Sequence, residues 1–395
     1  MDLSGWKFRL AALLLGLIGA GLLAELAIRL ALPQPVTTMS PHLYERVDDL
    51  RFRMAPETTG TVTNRTEFTT AVSIDRHGLR ETTQAPPPAD AFRLLVVGDS
   101  FTFGWGVDDL DTFSAHLGAG LSNERQTVWA MNGGVPGYGP PDEALWFERY
   151  GLPLEPDAVL LCFFVANDLA DATPARRAGS ISYGMPEAST MSTLRHWLFR
   201  RSQAYRFVRR AIPWSVRETM GIGQPWTHLY LRQMFESYAR EPGADAAVGR
   251  RESRRAIADI VAIAEARDLP IAAVLIPAAF QLDPKLWSLM TGLLGLDADQ
   301  LDPDVPARFF SGVLAEHGVE TLDLAPTIRR EMAGSTPLYY QYAPHWTPAG
   351  HRLAAETIEA FLLDLWPHLN ERDDAPPVAE DAVALEAATS TAGPT

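Results

Sequence analysis

Five short apolar segments alternate with stretches of helical periodicity between about residues 93 and 366. The apolar segments are Leu94–Val97, Val128–Met131, Ala158–Phe164, Ile271–Ile276 and Val319–Leu322. The helix-like stretches lie near residues 111–122, 141–150, 251–267, 303–317 and 348–365. Strands that are apolar on both faces are typical of parallel sheets covered by helices on both sides. The pattern therefore predicts an α/β fold, a three-layer α/β/α sandwich around a five-stranded, mostly parallel sheet.

The N-terminus has a different pattern, because residues 10–32 are apolar except for Glu25 and Arg29. A helix of this length rises about 35 Å, enough to cross a hydrocarbon core of about 30 Å. Glu25 and Arg29 are spaced to pair across one helical turn. Lys7 and Arg9 precede the apolar run, which predicts a cytoplasmic N-terminus. We interpret this segment as an uncleaved transmembrane signal anchor in contact with the lipid bilayer, with a cleaved signal peptide as the alternative.

The rest of the chain divides by composition. A polar stretch with short β-like segments and a proline-rich linker follows the anchor, and an acidic, Ala- and Pro-rich tail ends the chain. The predicted domains are a cytoplasmic N-terminus and anchor at 1–32, a membrane-proximal extension and linker at 33–92, the α/β domain at 93–366 with a helical insertion at about 169–250, and a disordered acidic tail at 367–395. Arginines and apolar residues near 194–212 predict a helix that caps the core or a substrate cleft, or lies on an anionic membrane surface.

Charge and cysteine content exclude several classes of partner and of structural bond. The formal net charge is −15, which argues against a nucleic-acid partner. The single cysteine, Cys162, excludes an intramolecular disulfide. No cluster of His, Cys and Asp has metal-ligand spacing, so we predict neither a metal nor a cofactor.

Residues suited to acyl-transfer chemistry follow the predicted strands. Gly98-Asp99-Ser100 ends the first strand, and His345 lies just before Thr347-Pro348, a helix N-cap followed by proline. The carboxyl ends of parallel strands share one edge of a sheet, where α/β proteins place their sites. A serine hydroxyl is a poor nucleophile unless a neighbouring base takes its proton, and histidine titrates in the right range.

These segments resemble the SGNH (GDSL-type) hydrolase family, and with the anchor and the Asp75–Arg80 segment they are similar to its membrane-anchored bacterial members. The matching blocks are Gly98–Ser100 (nucleophile), Asn132–Gly137 (glycine), Val165–Asp168 (Gly-x-Asn-Asp) and His345–Gly350 (histidine). The resemblance implies the flavodoxin-like SGNH fold, with Ser100 as nucleophile and His345 as general base. It also implies an oxyanion hole made by the backbone N–H groups of Ser100 and Gly137 and the side-chain amide of Asn167.

The chain departs from the family at the residue that supports the histidine. Family members usually have an aspartate two or three residues before it, where this chain has Tyr342 and Ala343. In the serine-triad template, changing that aspartate lowers kcat by about 10⁴. Three explanations remain: a Ser–His dyad with a backbone carbonyl holding the ring, another carboxylate such as Asp168 or Asp323 reaching His345, or an inactive relative that binds glycan.

The resemblance and the anchor together imply a serine esterase or O-acetyltransferase. Its substrate would be an O-acylated carbohydrate or another small ester at the cell envelope, cleaved through an acyl-serine intermediate. The expected location is the bacterial inner membrane, with the catalytic domain on the periplasmic side. The alternative is a catalytically weakened or inactive protein of the same fold that binds glycan in envelope polysaccharide assembly.

Overall fold

The computed structural model describes residues 3–31, 38–48, 50–174, 177, 198, 201–211 and 226–369. The strands are β1 (Thr38–Met39), β2 (Tyr44–Glu45), β3 (Arg53–Met54), β4 (Thr58–Thr63), β5 (Thr69–Ile74), β6 (Phe92–Gly98), β7 (Val128–Gly134), β8 (Ala158–Phe164), β9 (Ile271–Ile276) and β10 (Glu320–Asp323). The helices are α1 (Leu3–Ala31), α2 (Ser100–Phe103), α3 (Phe113–Leu121), α4 (Pro140–Trp146), α5 (Asp168–Asp171), α6 (Gln203–Ala211), α7 (Trp226–Glu236), α8 (Ala244–Glu265), α9 (Ala279–Leu282), α10 (Pro284–Leu294), α11 (Val305–Glu316), α12 (Ala325–Glu331) and α13 (Pro348–Leu365).

The central sheet has the strand order β7-β6-β8-β9-β10, and every neighbouring pair is parallel. The predicted five-stranded parallel sheet is therefore confirmed. Because β6 comes first in the chain and lies between β7 and β8, the direction of winding reverses beside it. Ligands of open α/β sheets bind at such a switch point, outside the carboxyl ends of the strands. Ser100 follows β6 directly.

Strands β6, β7, β8 and β9 contribute side chains to two separate cores, as the period of two in a strand requires. Leu95 and Val97 pack on one face with residues of α4, α8 and α11. Leu94 and Val96 pack on the other face with residues of α3, α12 and α13. The sandwich thus has three layers, as predicted.

Some boundaries differ from the sequence pattern. The helix expected near 251–267 begins earlier, at Ala244, and the one expected near 141–150 ends in a π-helical turn, Phe147–Gly151. The start of the predicted tail forms a 3-10 turn, Pro367–Leu369, with Leu369 buried against the core. Residues 370–395 lie outside the described residues, as do much of the insertion and several of its arginines. Within the described part of the insertion, Arg206 is buried.

The membrane-proximal extension is folded onto the α/β domain. Strands β1, β4 and β5 form an antiparallel sheet, and β2 pairs with β3. Leu43, Phe52 and Val62 share one continuous core with Leu95 and Val97 of β6. Consequently the extension and the α/β domain bury apolar surface together.

Helix α1 is long and apolar enough to cross a membrane over Trp6–Ala31, and none of this span is buried within the protein. The Arg29 Nε lies 2.8 Å from Glu25 Oε1, the pairing that their spacing predicts. The Glu25 carboxylate also accepts hydrogen bonds from the N–H groups of Gln203 and Ala204, at 2.8 and 2.9 Å. The charged end of α1 therefore contacts the first turn of α6.

Candidate active site

A tight strand-to-helix turn places the half-buried Ser100 at the carboxyl edge of the sheet. Asp99 caps α2, since its Oδ1 accepts a hydrogen bond from the Phe101 N–H at 2.8 Å. Its Oδ2 lies 3.2 Å from Ser100 Oγ. Burial raises the pKa of Asp99 to about 6. Asp99 therefore braces the turn, and its neighbour presents the hydroxyl.

Two glycines allow the Ser100 turn to sit tightly on the sheet. A Cβ on Gly98 would lie 2.7 Å from the Cys162 carbonyl oxygen of β8. A Cβ on Gly134, at the end of β7, would overlap the Phe103 backbone nitrogen and lie 2.6 Å from the Thr102 carbonyl carbon. Helix α2 can pack directly on β7 because Gly134 has no side chain.

His345 reaches Ser100 from a short loop before α13. Its Nε2 lies 2.8 Å from Ser100 Oγ. The Tyr340 N–H donates to the His345 carbonyl at 2.9 Å, which closes the loop, and Thr347 caps α13 through the Gly350 N–H at 3.3 Å. Phe101 also packs on the imidazole, with ring centroids 4.9 Å apart. The loop therefore places an imidazole nitrogen within hydrogen-bond reach of the serine hydroxyl.

The other imidazole nitrogen, Nδ1, has no hydrogen-bond partner among the described residues. His345 Nδ1 is buried, and no protein atom of the described residues hydrogen-bonds to it. Burial of the ring lowers the pKa of His345 to about 3. For Nε2 to accept the serine proton, Nδ1 must carry the ring hydrogen, and that N–H is then buried without an acceptor. The tautomer needed for catalysis is therefore disfavoured here.

The two carboxylates suggested by the sequence do not fill this role in the structure. Asp168 is buried among acids, and its pKa is raised well above the usual range by burial and by repulsion from Glu143 and Asp99. The Asp323 Oδ1 accepts a hydrogen bond from the Ala325 N–H at the start of α12, at 2.8 Å. Neither carboxylate hydrogen-bonds to His345 Nδ1. Of the three explanations that the sequence left open, the one in which Asp168 or Asp323 orients the ring does not match this structure.

The residues expected to form the oxyanion hole follow neighbouring strands. Gly137 has φ +92°, a conformation that favours glycine. In the described part of the chain, no backbone carbonyl accepts from the N–H of Ser100 or Gly137. The Asn167 amide nitrogen donates to Asp171 Oδ2 at 3.0 Å and lies 3.3 Å from the Tyr230 hydroxyl. Asn167 is thus held by internal partners, and the Ser100 N–H interacts with the Asp99 carboxylate, whose charged form it stabilises.

A family model matches most of the α/β domain. The model of the GDSL-like lipase/acylhydrolase family matches residues 96–353, more than half of the chain. The chain belongs to the GDSL-like lipase/acylhydrolase family. The matched range contains Ser100, Gly137, Asn167 and His345.

Solved structures similar to this GDSL-like hydrolase have low sequence identity. A lipase/acylhydrolase from Enterococcus faecalis is 13% identical, with 69% of this chain and 96% of that chain covered and a TM-score of 0.37. A catalytic mutant of an acetylxylan esterase from Geobacillus stearothermophilus is 13% identical, with 71% and 97% covered and a TM-score of 0.38. A G-D-S-L family protein from Desulfitobacterium hafniense DCB-2 is 13% identical, with 68% and 98% covered and a TM-score of 0.36. No curated protein matches the chain.

Two arginines of the extension also hold the site of this GDSL-like hydrolase. The buried Arg80 guanidinium donates to the carbonyls of Phe103 and Gly104, at 2.7 and 2.6 Å, and so caps the C-terminal end of α2. Arg51 donates to the Gly137 carbonyl at 2.9 Å and pairs with buried Asp142. The sequence contains no motif that would identify Arg51. For Arg80, the only signal was the resemblance of the Asp75–Arg80 segment.

No group of three or more His, Cys, Asp and Glu side chains is arranged to hold a metal ion within the residues described.

Proposed function

We propose that this GDSL-like hydrolase is a serine esterase that forms an acyl intermediate on Ser100. The observation that carries the proposal is the 2.8 Å contact between Ser100 Oγ and His345 Nε2 at the carboxyl end of β6. Family membership supports ester hydrolysis as the reaction class.

The first half-reaction begins with attack of Ser100 Oγ on the ester carbonyl carbon while His345 Nε2 takes the hydroxyl proton. The N–H groups of Ser100 and Gly137 stabilise the tetrahedral oxyanion, and Asn167 adds a donor if its amide turns from Asp171 toward the oxyanion. The C–O bond to the leaving alcohol then breaks, and His345 returns the proton to the departing oxygen. This step leaves an acyl-Ser100 ester and a neutral imidazole.

The second half-reaction repeats these steps with a new hydroxyl. Water gives hydrolysis, and a sugar hydroxyl gives transfer of the acyl group. In both, His345 accepts the proton of the incoming hydroxyl and returns it to Ser100 Oγ as the acyl bond breaks. Ser100 and His345 act as a dyad without a supporting carboxylate. In the serine-triad template, changing that carboxylate lowers kcat by about 10⁴.

We propose O-acylated carbohydrate or another ester of the cell envelope as the substrate, with the catalytic domain on the periplasmic side of the inner membrane. The apolar span Trp6–Ala31 supports this location, as do Lys7 and Arg9 at its start. If the anchor is retained, the mature protein has the SDS-gel mobility of the full chain. A mobility matching a chain without residues 1–30 would contradict the anchor.

The full chain in detergent, incubated with p-nitrophenyl acetate and then with acetylated glycans, tests the activity. We expect Ser100→Ala to abolish turnover and His345→Ala to lower kcat/KM by at least about 10². His317→Ala is a matched control, because this histidine follows α11 on the loop into β10, at the opposite edge of the sheet. Turnover by Ser100→Ala equal to that of the wild type would refute the proposal.

A non-catalytic protein that binds envelope glycan is the second candidate, and the unpaired His345 Nδ1 favours it. If this candidate is right, the wild type binds glycan but neither hydrolyses esters nor reacts with a fluorophosphonate. Reaction of Ser100 with the fluorophosphonate would exclude it.

A further inference from the structure

The turn between β4 and β5 contacts the loop that carries His345. Glu67 Oε1 accepts a hydrogen bond from the Gln341 N–H at 2.6 Å, and Oε2 accepts one from the Tyr342 N–H at 3.0 Å. One carboxylate thus satisfies two successive backbone donors, a charge-assisted arrangement. The contact joins the membrane-proximal extension to a segment more than 270 residues further along the chain.

Glu67 is itself held in place. Asn64 Nδ2 donates to Glu67 Oε2 at 2.7 Å, and Asn64 Oδ1 accepts from the Glu67 and Phe68 N–H groups at 2.7 and 3.2 Å. Asn64 is completely buried. The carboxylate is therefore presented from an ordered turn, so little freedom remains to be lost when it binds the loop.

A second contact fastens the same loop. The ring of Phe68, next to Glu67, packs on Tyr340 with centroids 4.8 Å apart. The Tyr340 hydroxyl donates to the Gly106 carbonyl at 2.8 Å, beyond the end of α2. Tyr340 also closes the His345 loop through its N–H. The histidine loop is thus joined both to the β4–β5 turn and to the segment that follows Ser100.

The contacts of Glu67 lie in the segment where family members usually have the aspartate that supports the histidine. Tyr342, whose N–H bonds to Glu67, lies three residues before His345 and exposes more than half of its side-chain surface. Its side chain does not support the imidazole, and Nδ1 has no partner among the described residues. The ring is therefore positioned by its own loop and by the aromatic residues around it, and Glu67 bonds to that loop.

We propose that Glu67 is a positioning residue of the active site, whose carboxylate fixes the 340–345 loop so that His345 Nε2 stays within reach of Ser100. This rests on the proposed esterase function. Glu67 acts through the backbone of Gln341 and Tyr342. The extension is then a working part of the site, in addition to joining the domain to the anchor.

The test compares Glu67→Ala, Glu67→Gln and the wild type as full chains in detergent, with p-nitrophenyl acetate as substrate. We expect Glu67→Ala to lower kcat by at least about tenfold with little change in KM. The reason is that a displacement of His345 by about 1 Å from Ser100 greatly slows the chemical step. Glu67→Gln keeps one acceptor oxygen and should recover part of the loss. The rate of Ser100 reaction with a fluorophosphonate should fall in the same order.

Glu45→Gln is the matched control, since it removes a carboxylate from the same extension and breaks an ion pair with Arg53 away from the histidine loop. It should keep the wild-type kcat. A folded Glu67→Gln and Glu67→Ala with wild-type kcat would overturn the inference while leaving the esterase intact. If Glu67→Ala does not fold, a folded Glu67→Gln with wild-type kcat overturns it equally. A wild type that neither turns over substrate nor reacts with the probe would instead refute the proposed function.

Discussion

His345 has two nitrogens in contrasting surroundings. Nε2 faces Ser100 Oγ at 2.8 Å, whereas Nδ1 is buried with no partner in the described part of the chain. A buried polar group without a hydrogen bond costs about 1–3 kcal/mol. The ring stays neutral at physiological pH, which suits a base, but the imidazolium formed during attack has no carboxylate to stabilise it. We infer a competent but slow nucleophile.

The low pKa of His345 predicts an unusual pH profile. Because this pKa is lowered to about 3, protonation of His345 should not reduce kcat/KM for p-nitrophenyl acetate between about pH 8 and about pH 5, where the titrating group in contact with Ser100 is Asp99, with a pKa of about 6. A histidine with an ordinary pKa would lose activity below about 6.5. An acid limb with its midpoint at or above that value would contradict the structure's account of the ring.

The same lowered pKa also affects folding. As pH falls from about 6.5 toward 3, the unfolded chain gains a proton at His345 that the folded chain does not bind. The contribution of His345 to the free energy of unfolding therefore decreases over this window and is constant above it. Urea unfolding of wild type and His345→Gln at about pH 7.5 and 5.5 measures it. Equal losses in both proteins would contradict the prediction.

The sequence predicted the Ser100–His345 pair because both residues occur in local motifs beside predictable elements. It did not predict which group supports the ring. Asp168 and Asp323 were plausible since each lies near the end of a strand, yet one is directed among buried acids and the other toward α12. Such partnerships depend on side-chain directions in three dimensions, which spacing along the chain does not encode. Glu67 lacked any local signal for the same reason.

At the level of elements, the site depends on how closely α2 approaches β7. Gly134 permits this approach, because a Cβ there would overlap the Phe103 nitrogen. The atoms that this Cβ would meet all belong to the backbone of α2, so no flexible side chain can move away to make room. The strands were predictable because they are buried on both faces, whereas the start of α8 was missed because its first turns, Ala244–Arg250, lack a clear apolar stripe.

Gly134→Ala should displace the nucleophile turn. We expect a decrease of about 1–3 kcal/mol in the free energy of unfolding, typical of overpacking, and a larger proportional loss of kcat than of folded protein. Gly312→Ala is the control, since nothing lies within 4 Å of a Cβ at this position in α11. That variant should gain about 0.5–1 kcal/mol from the higher helix propensity of alanine. Chemical unfolding and steady-state kinetics compare the two, and an active, fully stable Gly134→Ala would contradict the packing argument.

At the scale of the whole molecule, the extension and the α/β domain share one hydrophobic core beside the site. The family model begins at residue 96 and leaves the extension out. Nevertheless, Leu43, Phe52 and Val62 belong to the core beneath the sheet, and Arg51 and Arg80 bond to the loops around Ser100. The polar composition of this segment suggested a linker, because half-exposed short strands have little apolar signal.

Truncated chains test whether the extension is part of the folded core or only a linker. A chain of residues 38–369 should fold and keep esterase activity without detergent, because it retains the shared core. A chain of residues 93–369 should expose the apolar surface that the extension covers and lose the bonds to Gly137 and α2, so we expect aggregation or loss of activity. Circular dichroism, gel filtration and turnover compare them. A soluble 93–369 chain with full activity would show that the extension is dispensable.

Mapping of covalent modification tests the central claim most directly. The full chain is treated with a fluorophosphonate, and the modified peptide and its rate of formation are determined by mass spectrometry. We expect modification at Ser100, none at this site in Ser100→Ala, and a rate at least about 10² lower in His345→Ala. Modification at a different residue, or an undiminished rate in His345→Ala, would contradict the claim that Ser100 is a nucleophile activated by His345.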